Sequence, residues 1–225
     1  MPTRSQVARA LTDSWPARML DSAFSWAYYN NAVWQRTEWL GTRVMKLPLD
    51  LWMYQEMLNE LRPDLIVETG TAHGGSALYL ASICDLLDHG EIVTIDIVGN
   101  DARPTHPRIE YVTSSSIDPA LVQDVRRRAE GKNVLVILDS AHDRQHVLEE
   151  LRLYSPLVPV GGYVIVEDTN VNGHPVARKH GPGPKEAVDA FLTETDAFVI
   201  DREREKFRVT FNPGGYLRRV RKEGE

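Results

Sequence analysis

Cysteine is nearly absent from this chain. Cys84 stands alone among 225 residues, so no internal disulfide can form and the chain suits a reducing cytoplasm. No apolar run approaches the roughly 18 residues that a membrane span needs, and the N-terminus shows no signal-peptide core. No membrane partner is therefore expected. Excess positive charge is missing as well. The 26 Lys and Arg stand against 32 Asp and Glu, a net charge of −6, which argues against nucleic acid as a main partner. The basic clusters Arg126–Arg128 and Arg218–Lys222 carry no interleaved aromatics and read as solvated surface.

What is present is a pair of short apolar runs that end in acids. Val134–Leu138 leads into Asp139, with His142 three residues on, and Tyr163–Val166 leads into Glu167 and Asp168. Both runs are β-branched and non-alternating, as strands buried on both faces of a parallel sheet are. In an open α/β sheet the ligand site lies beyond the carboxyl ends of the strands. Asp139, Glu167 and Asp168 are therefore expected on one rim. A single acid at a strand end also serves as a helix cap or a loop residue. Three converging carboxylates repel one another unless a cation sits among them, and a hard divalent ion, magnesium before calcium or manganese, fits oxygen ligands best.

The remaining pattern alternates strands with helices. Leu49–Leu61 reads as a helix stopped by Pro63, and Leu65–Val67 as the first strand, followed by a helix to about Leu87. Glu91–Asp96 and Arg108–Thr113 are strands, Asp118 caps a helix to about Glu130, and Asp143 to Tyr154 is helical. A polar loop, Thr169–Gly183, precedes a helix over Lys185–Glu194. Phe198–Ile200 and Phe207–Phe211 read as two late strands without a helix between them, and Asn212–Gly215 as a turn. The sum is a doubly wound α/β sheet with an antiparallel edge.

The first strand runs into Glu68-Thr69-Gly70-Thr71-Ala72-His73-Gly74-Gly75-Ser76. Such a turn lets backbone approach a ligand, and the helix N-terminus after it favours a negative group. The spacing is not the dinucleotide Gly-x-Gly-x-x-Gly, which disfavours NAD. Asp96, at the end of the second strand, stands where a ribose-binding acid belongs. The alternative is a tight structural turn with a surface acid.

All five tryptophans lie within the first 52 residues, together with Phe24, Tyr28 and Tyr29. Residues 1–47 are expected to form a helical extension, and residues 48–225 the catalytic domain. The aromatics either pack the extension onto the sheet, or form a lid or a subunit interface in a homo-oligomer.

Several segments together identify the chain as resembling the cephalosporin hydroxylase family. They are Trp39–Gly41, Lys46–Asp50, Gln55-Glu56, Val67–Ser76, Leu138–His142, Pro159–Gly162, Val166–Pro175, Gly181–Pro184 and Phe211–Leu217. That family, despite its name, has the Rossmann-like fold of class I S-adenosylmethionine-dependent methyltransferases. The chain is similar, more distantly, to macrocin-type sugar O-methyltransferases and catechol O-methyltransferase.

The resemblance implies S-adenosylmethionine and Mg²⁺ as cofactors, with the ion held by Asp139, Glu167 and Asp168. It implies Gly70, Gly74 and Ser76 at the methionine end of the cofactor, within a turn that also includes Glu68 and Thr71. Asp96 would then bind the ribose, and Ser115 and Ser116 would lie near the adenine, with Asp139 bordering the cofactor as well. His142, neutral near pH 7 by its ordinary value, would be the general base, a role worth ~10²–10⁴ in rate. The implied reaction is O-methylation of a hydroxyl on a sugar or other secondary metabolite, as in antibiotic biosynthesis. Three alternatives remain: N-methylation of an amino sugar, an iron- and 2-oxoglutarate-dependent hydroxylase, and a non-catalytic partner protein. For the hydroxylase, His89 and Glu91 offer half of a facial triad, but at the wrong ends of their elements. His73 and His174 are weaker candidates for the site.

Overall fold

The structure, a computed structural model, describes residues 15–222. The first helix among the described residues, α1 (Trp15–Asn30), leads through a 3-10 turn (Val33–Arg36) to a small hairpin, β1 (Glu38–Trp39) and β2 (Thr42–Arg43). The core follows in the order α2 (Pro48–Leu61), β3 (Leu65–Thr69), α3 (Gly75–Leu87), β4 (Glu91–Asp96), β5 (Ile109–Thr113), α4 (Pro119–Ala129), β6 (Val134–Leu138) and α5 (Arg144–Tyr154). It ends with β7 (Tyr163–Val166), α6 (Pro184–Glu194), β8 (Phe198–Ile200) and β9 (Tyr216–Arg219).

The main sheet has seven strands in the order β5-β4-β3-β6-β7-β9-β8. β5 to β7 pair in parallel, whereas β9 runs antiparallel to both β7 and β8. The chain reverses its winding between β3 and β6, and there the two strands meet with Thr69 opposite Leu138. β3, β6 and β7 are buried at every residue, which explains their non-alternating sequences. Their side chains still alternate between faces. Val67, Val136 and Val164 pack with Leu148, Leu151 and Phe191 on one side, while Ile66, Ile137 and Ile165 pack with Met57, Leu58 and Leu80 on the other. Helices cover both faces, so the sheet is doubly wound.

The caps are those the sequence signals. Asp118 accepts from the Ala120 and Leu121 amides, and Asp143 from the His146 amide, with Pro48 and Pro119 at the first helical positions.

One expected strand is corrected. Phe207–Phe211 is not extended sheet; the last strand is Tyr216–Arg219. Asp50 captures this segment, accepting from Thr210 Oγ1 at 2.5 Å and the Phe211 amide at 2.9 Å. The amide that a strand would offer its neighbour is thus taken by a side chain. Gly215 then lets the chain press onto β7, because a Cβ there would lie 2.1 Å from the Val166 carbonyl oxygen.

The β1–β2 hairpin was not anticipated. Leu40 and Gly41 both have positive φ (49° and 81°), as a two-residue hairpin turn requires. Part of the expected 1–47 extension lies outside the described residues. No helix among the described residues is long and apolar enough to cross a membrane.

Candidate active site

The ends of β3, β4, β6 and β7 converge on one rim and border a cavity of about 520 Å³. Its geometry depends first on glycine. Gly70 has φ +86°, and a Cβ on it would fall 1.8 Å from the Asp139 carbonyl oxygen. Only glycine lets the turn after β3 cross the end of β6. Gly75 plays the same part for the hairpin, since its Cβ would meet the Arg43 carbonyl oxygen at 2.1 Å.

Asp96 ties the turn to β4. Its Oδ2 accepts from the Thr71 amide (3.1 Å), the Ala72 amide (2.8 Å) and Arg103 Nη2 (3.2 Å), and its Oδ1 from the Val98 amide (2.9 Å). Glu68 lies fully buried beneath the turn, accepting from Thr94 Oγ1 at 2.6 Å, and burial raises its pKa.

At the other end, Asp139, His142 and Asp168 gather so closely that one ligating atom of each lies within 4.8 Å of the others. His142 Nε2 is 3.5 Å from Asp139 Oδ1 and 3.2 Å from Asp168 Oδ2. Burial alone would depress the imidazole pKa, but the surrounding carboxylates, Asp139 and Asp168 first, push it up to about 9. The two carboxylates thus favour the protonated imidazole in the metal-free site.

Glu167 does not join this trio. Its Oε1 accepts from Lys46 Nζ at 2.5 Å and from the Tyr54 hydroxyl at 2.7 Å; burial and the Asp139 charge raise its pKa, and the Lys46 ammonium opposes them by favouring the carboxylate. Lys46 also reaches Asp139 Oδ2 at 2.7 Å. Burial opposes the ammonium charge, yet the acids around it raise its pKa. Asp139, although buried, is held below the usual carboxylate range by Lys46 and His142. Asn212 completes the frame: its Nδ2 donates to the Tyr54 hydroxyl at 3.1 Å, and its Oδ1 accepts from the Asp168 amide at 3.2 Å.

Of the residues singled out in the sequence, Gly70, Thr71, Ser76, Asp96, Ser116, Asp139, His142 and Asp168 line the one cavity. Glu68, Gly74, Ser115 and Glu167 do not. Gly74 caps α3, and the Ser115 carbonyl accepts from the Asp118 amide at the start of α4. Among the other histidines, His73 lines the cavity, while His174 pairs with Glu186 on the surface at 3.0 Å. His89 pairs with Asp64 at the opposite end of the strands.

The family described as Rhamnosyl O-methyltransferase/CmcI matches residues 31–220. The chain is 42% identical over 201 residues to a rhamnosyl O-methyltransferase of Mycobacterium bovis (strain BCG / Pasteur 1173P2), covering 84% of this chain and 81% of the relative. A rhamnosyl O-methyltransferase of Mycobacterium leprae (strain TN) is 40% identical over 200 residues, with 84% and 86% covered. The chain belongs to this family.

This member of the rhamnosyl O-methyltransferase/CmcI family is accordingly a methyltransferase. Its fold agrees: a solved CmcI structure carrying Mg and SAM superposes with a TM-score of 0.64 at 22% identity, over 83% of this chain and 78% of that one.

The trio's chemistry also suits a small divalent cation. Asp139 and Asp168 turn carboxylate oxygens to the cavity, and the charged imidazole sits between them where an ion would balance the same charge. Sequence reasoning missed Lys46, Tyr54 and Asn212 as site residues. Lys46 and Asn212 stand within the segments that carry the family resemblance and Tyr54 directly before one, but no spacing or periodicity marks their side chains as buried at the site.

Proposed function

We propose that this protein transfers a methyl group from S-adenosylmethionine to a hydroxyl of a sugar-bearing acceptor, with a divalent cation, magnesium first, held by Asp139 and Asp168. The observation that carries this reading is the single cavity that joins the glycine turn and Asp96 to the carboxylate–imidazole trio. The family supports it, since the curated relatives are rhamnosyl O-methyltransferases.

In this reading the amides at the start of α3 favour the carboxylate of the cofactor, and Asp96 borders its ribose. Gly70 and Thr71 form the adjoining backbone wall, and Ser116 lines the adenine end. S-adenosylmethionine supplies an electrophilic sulfonium methyl, and the cation supplies Lewis acidity that lowers the pKa of a hydroxyl. The chain's own part is positional and electrostatic. Asp139 is fixed by Lys46, and Asp168 by Asn212. His142 accepts the hydroxyl proton at Nε2, a role open to it only when the charge of Asp139 and Asp168 is neutralised, because the two acids otherwise keep the imidazole protonated. Glu167 acts through Lys46 to orient Asp139.

Nothing among the described residues favours the hydroxylase reading: the trio holds one histidine and two acids, the reverse of a facial triad. The extension (residues 1–47) and the catalytic domain (48–225) are proposed as the two units, with the extension at a homo-oligomer contact.

The test is product formation. Purified protein, S-adenosylmethionine, magnesium and a simple rhamnoside should yield a product heavier by one methyl group, and EDTA should abolish it. Failure to bind S-adenosylhomocysteine in a calorimeter would overturn the reading at its root.

A further inference from the structure

One buried acid takes no part in the chemistry proposed above. In α5, Val147, Leu148, Leu151 and Tyr154 form the face packed on the sheet, and Glu150 lies fully buried on that same face. A carboxylate is costly there unless donors hold it. Ser140 Oγ, in the turn after β6, donates to Glu150 Oε1 at 2.7 Å. His146, one helical turn back, brings Nε2 to 3.5 Å from the same oxygen and to 3.0 Å from Ser116 Oγ. Glu150 Oε2 has no protein partner among the described residues, so the acid depends on Ser140 and His146. It favours a hydrogen on Nε2, and raises the His146 pKa against the effect of burial. Tyr154 steadies Ser116, its hydroxyl donating to the Ser116 carbonyl at 2.5 Å. Ser116, Ser140 and His146 all border the cavity, and Glu150 stands behind them.

We propose that Glu150 is a positioning residue: it fixes the hydrogen-bonding sense of Ser140 and Ser116, so that this wall selects adenine over its deaminated counterpart. This rests on the methyl-transfer reading, at the base of its cofactor. With its proton committed to Glu150, Ser140 turns lone pairs to the cavity and accepts. Ser116 takes the His146 hydrogen on one lone pair, which leaves its own O–H to donate. The wall therefore offers one acceptor and one donor. Adenine presents the complement, an N6 amino group beside the N1 lone pair. Hypoxanthine has an oxo group and an N1–H in those places and reverses both. To serve the oxo group, Ser140 would have to withdraw its proton from Glu150 and strip a buried carboxylate of one of its two donors. Such a loss is worth about tenfold or more in affinity.

The probes are S-adenosylhomocysteine and S-inosylhomocysteine, which differ only at the base, titrated calorimetrically into the full chain with magnesium present. The parent should prefer the adenosyl ligand by about tenfold or more. Glu150→Met keeps the bulk but offers Ser140 no carboxylate. It should weaken the adenosyl ligand and shrink the preference to about threefold or less, with magnesium affinity held. Glu150→Gln retains a carbonyl acceptor for Ser140 and should keep most of the preference. Ser140→Ala, at the cavity surface, should shrink it as Glu150→Met does, and decides the question if Glu150→Met fails to fold. An undiminished preference in these two variants, or equal losses for both ligands, would make Glu150 a packing residue only and overturn its positioning role. A parent that binds the two ligands equally would overturn it as well. Each of those results leaves methyl transfer standing. A parent that binds neither ligand strikes the reading beneath, and this role with it.

Discussion

Lys46 and Glu167 form a buried ion pair, Nζ 2.5 Å from Oε1, across 121 residues of sequence. The same ammonium reaches Asp139 at 2.7 Å, so one cation supports the ends of β6 and β7 together. Removing one member of a buried pair leaves an uncompensated charge, which typically costs about 3–5 kcal/mol. Lys46→Met should therefore lower the unfolding free energy measured in urea by an amount in that range. Lys46→Met combined with Glu167→Gln should recover part of the loss, and the coupling in that cycle measures the pair. Additive effects of the two substitutions would mean that the ammonium does not hold Glu167.

The pair also separates two ligand sets. If Asp139 and Asp168 hold the cation, calorimetric magnesium binding should disappear in Asp139→Asn and Asp168→Asn but persist, weakened at most a few-fold, in Glu167→Gln. A set that includes Glu167 as a direct ligand would lose binding in all three. The measurement needs no acceptor and no turnover.

His142 carries a pH signature. Its pKa is raised from an ordinary 6.5 to about 9 by Asp139 and Asp168. A histidine raised in the folded state contributes stability that is fully present below its unfolded value and is lost as pH rises through the folded one. The metal-free protein should thus lose thermal stability between about pH 6.5 and 9, and His142→Asn should flatten that slope. The imidazole resonances should titrate near the upper value in EDTA and at lower pH with magnesium. Titration near the ordinary value in EDTA would show that the two carboxylates do not surround it.

Much of this was legible in the chain. The fully apolar runs at β3, β6 and β7 signalled a parallel sheet, and the acids after them marked the rim where Asp139 and Asp168 lie. Glu167 was legible as an acid on the same strand end but not as a partner of Lys46. Adjacent residues at a strand end point in different directions, and a lysine distant in sequence decides which of them meets the cavity. Phe207–Phe211 looked like a strand by composition, yet Asp50 claims its amide, and no local pattern announces a side chain capturing backbone from 161 residues away. His142 was named as a base from its position, while its charge depends on neighbours that only the fold assembles.

Gly70 tests the crossing of β3 and β6. A Cβ there would sit 1.8 Å from the Asp139 carbonyl oxygen, and φ is +86°. Gly70→Ala should cost more than the ~1–3 kcal/mol of backbone strain alone, because backbone has to move to relieve the clash. The movement falls on Asp139, so magnesium affinity should drop with stability. A variant of parental stability and metal affinity would show that the two strand ends are not in contact.

The remaining question is what α1 is for. α1 exposes Trp15, Met19 and Trp26 along one stripe, at 68%, 53% and 61% of their surface, since offsets of four and seven residues return to the same side of a helix. Its opposite side is committed to the chain, through Ser25, which is buried, Tyr28 against Phe211, and Asp21 paired with Arg208 at 2.7 Å. A helix anchored on one side and apolar on the other resembles half of an interface more than a covering layer. The intact protein should run as a homo-oligomer in size-exclusion chromatography with light scattering. Trp15→Glu with Trp26→Glu should shift it to monomer without loss of the cofactor site, because neither residue lines the cavity. If the parent is already a monomer at micromolar concentration, and the double variant matches it in mass and solubility, the stripe does not mediate self-association.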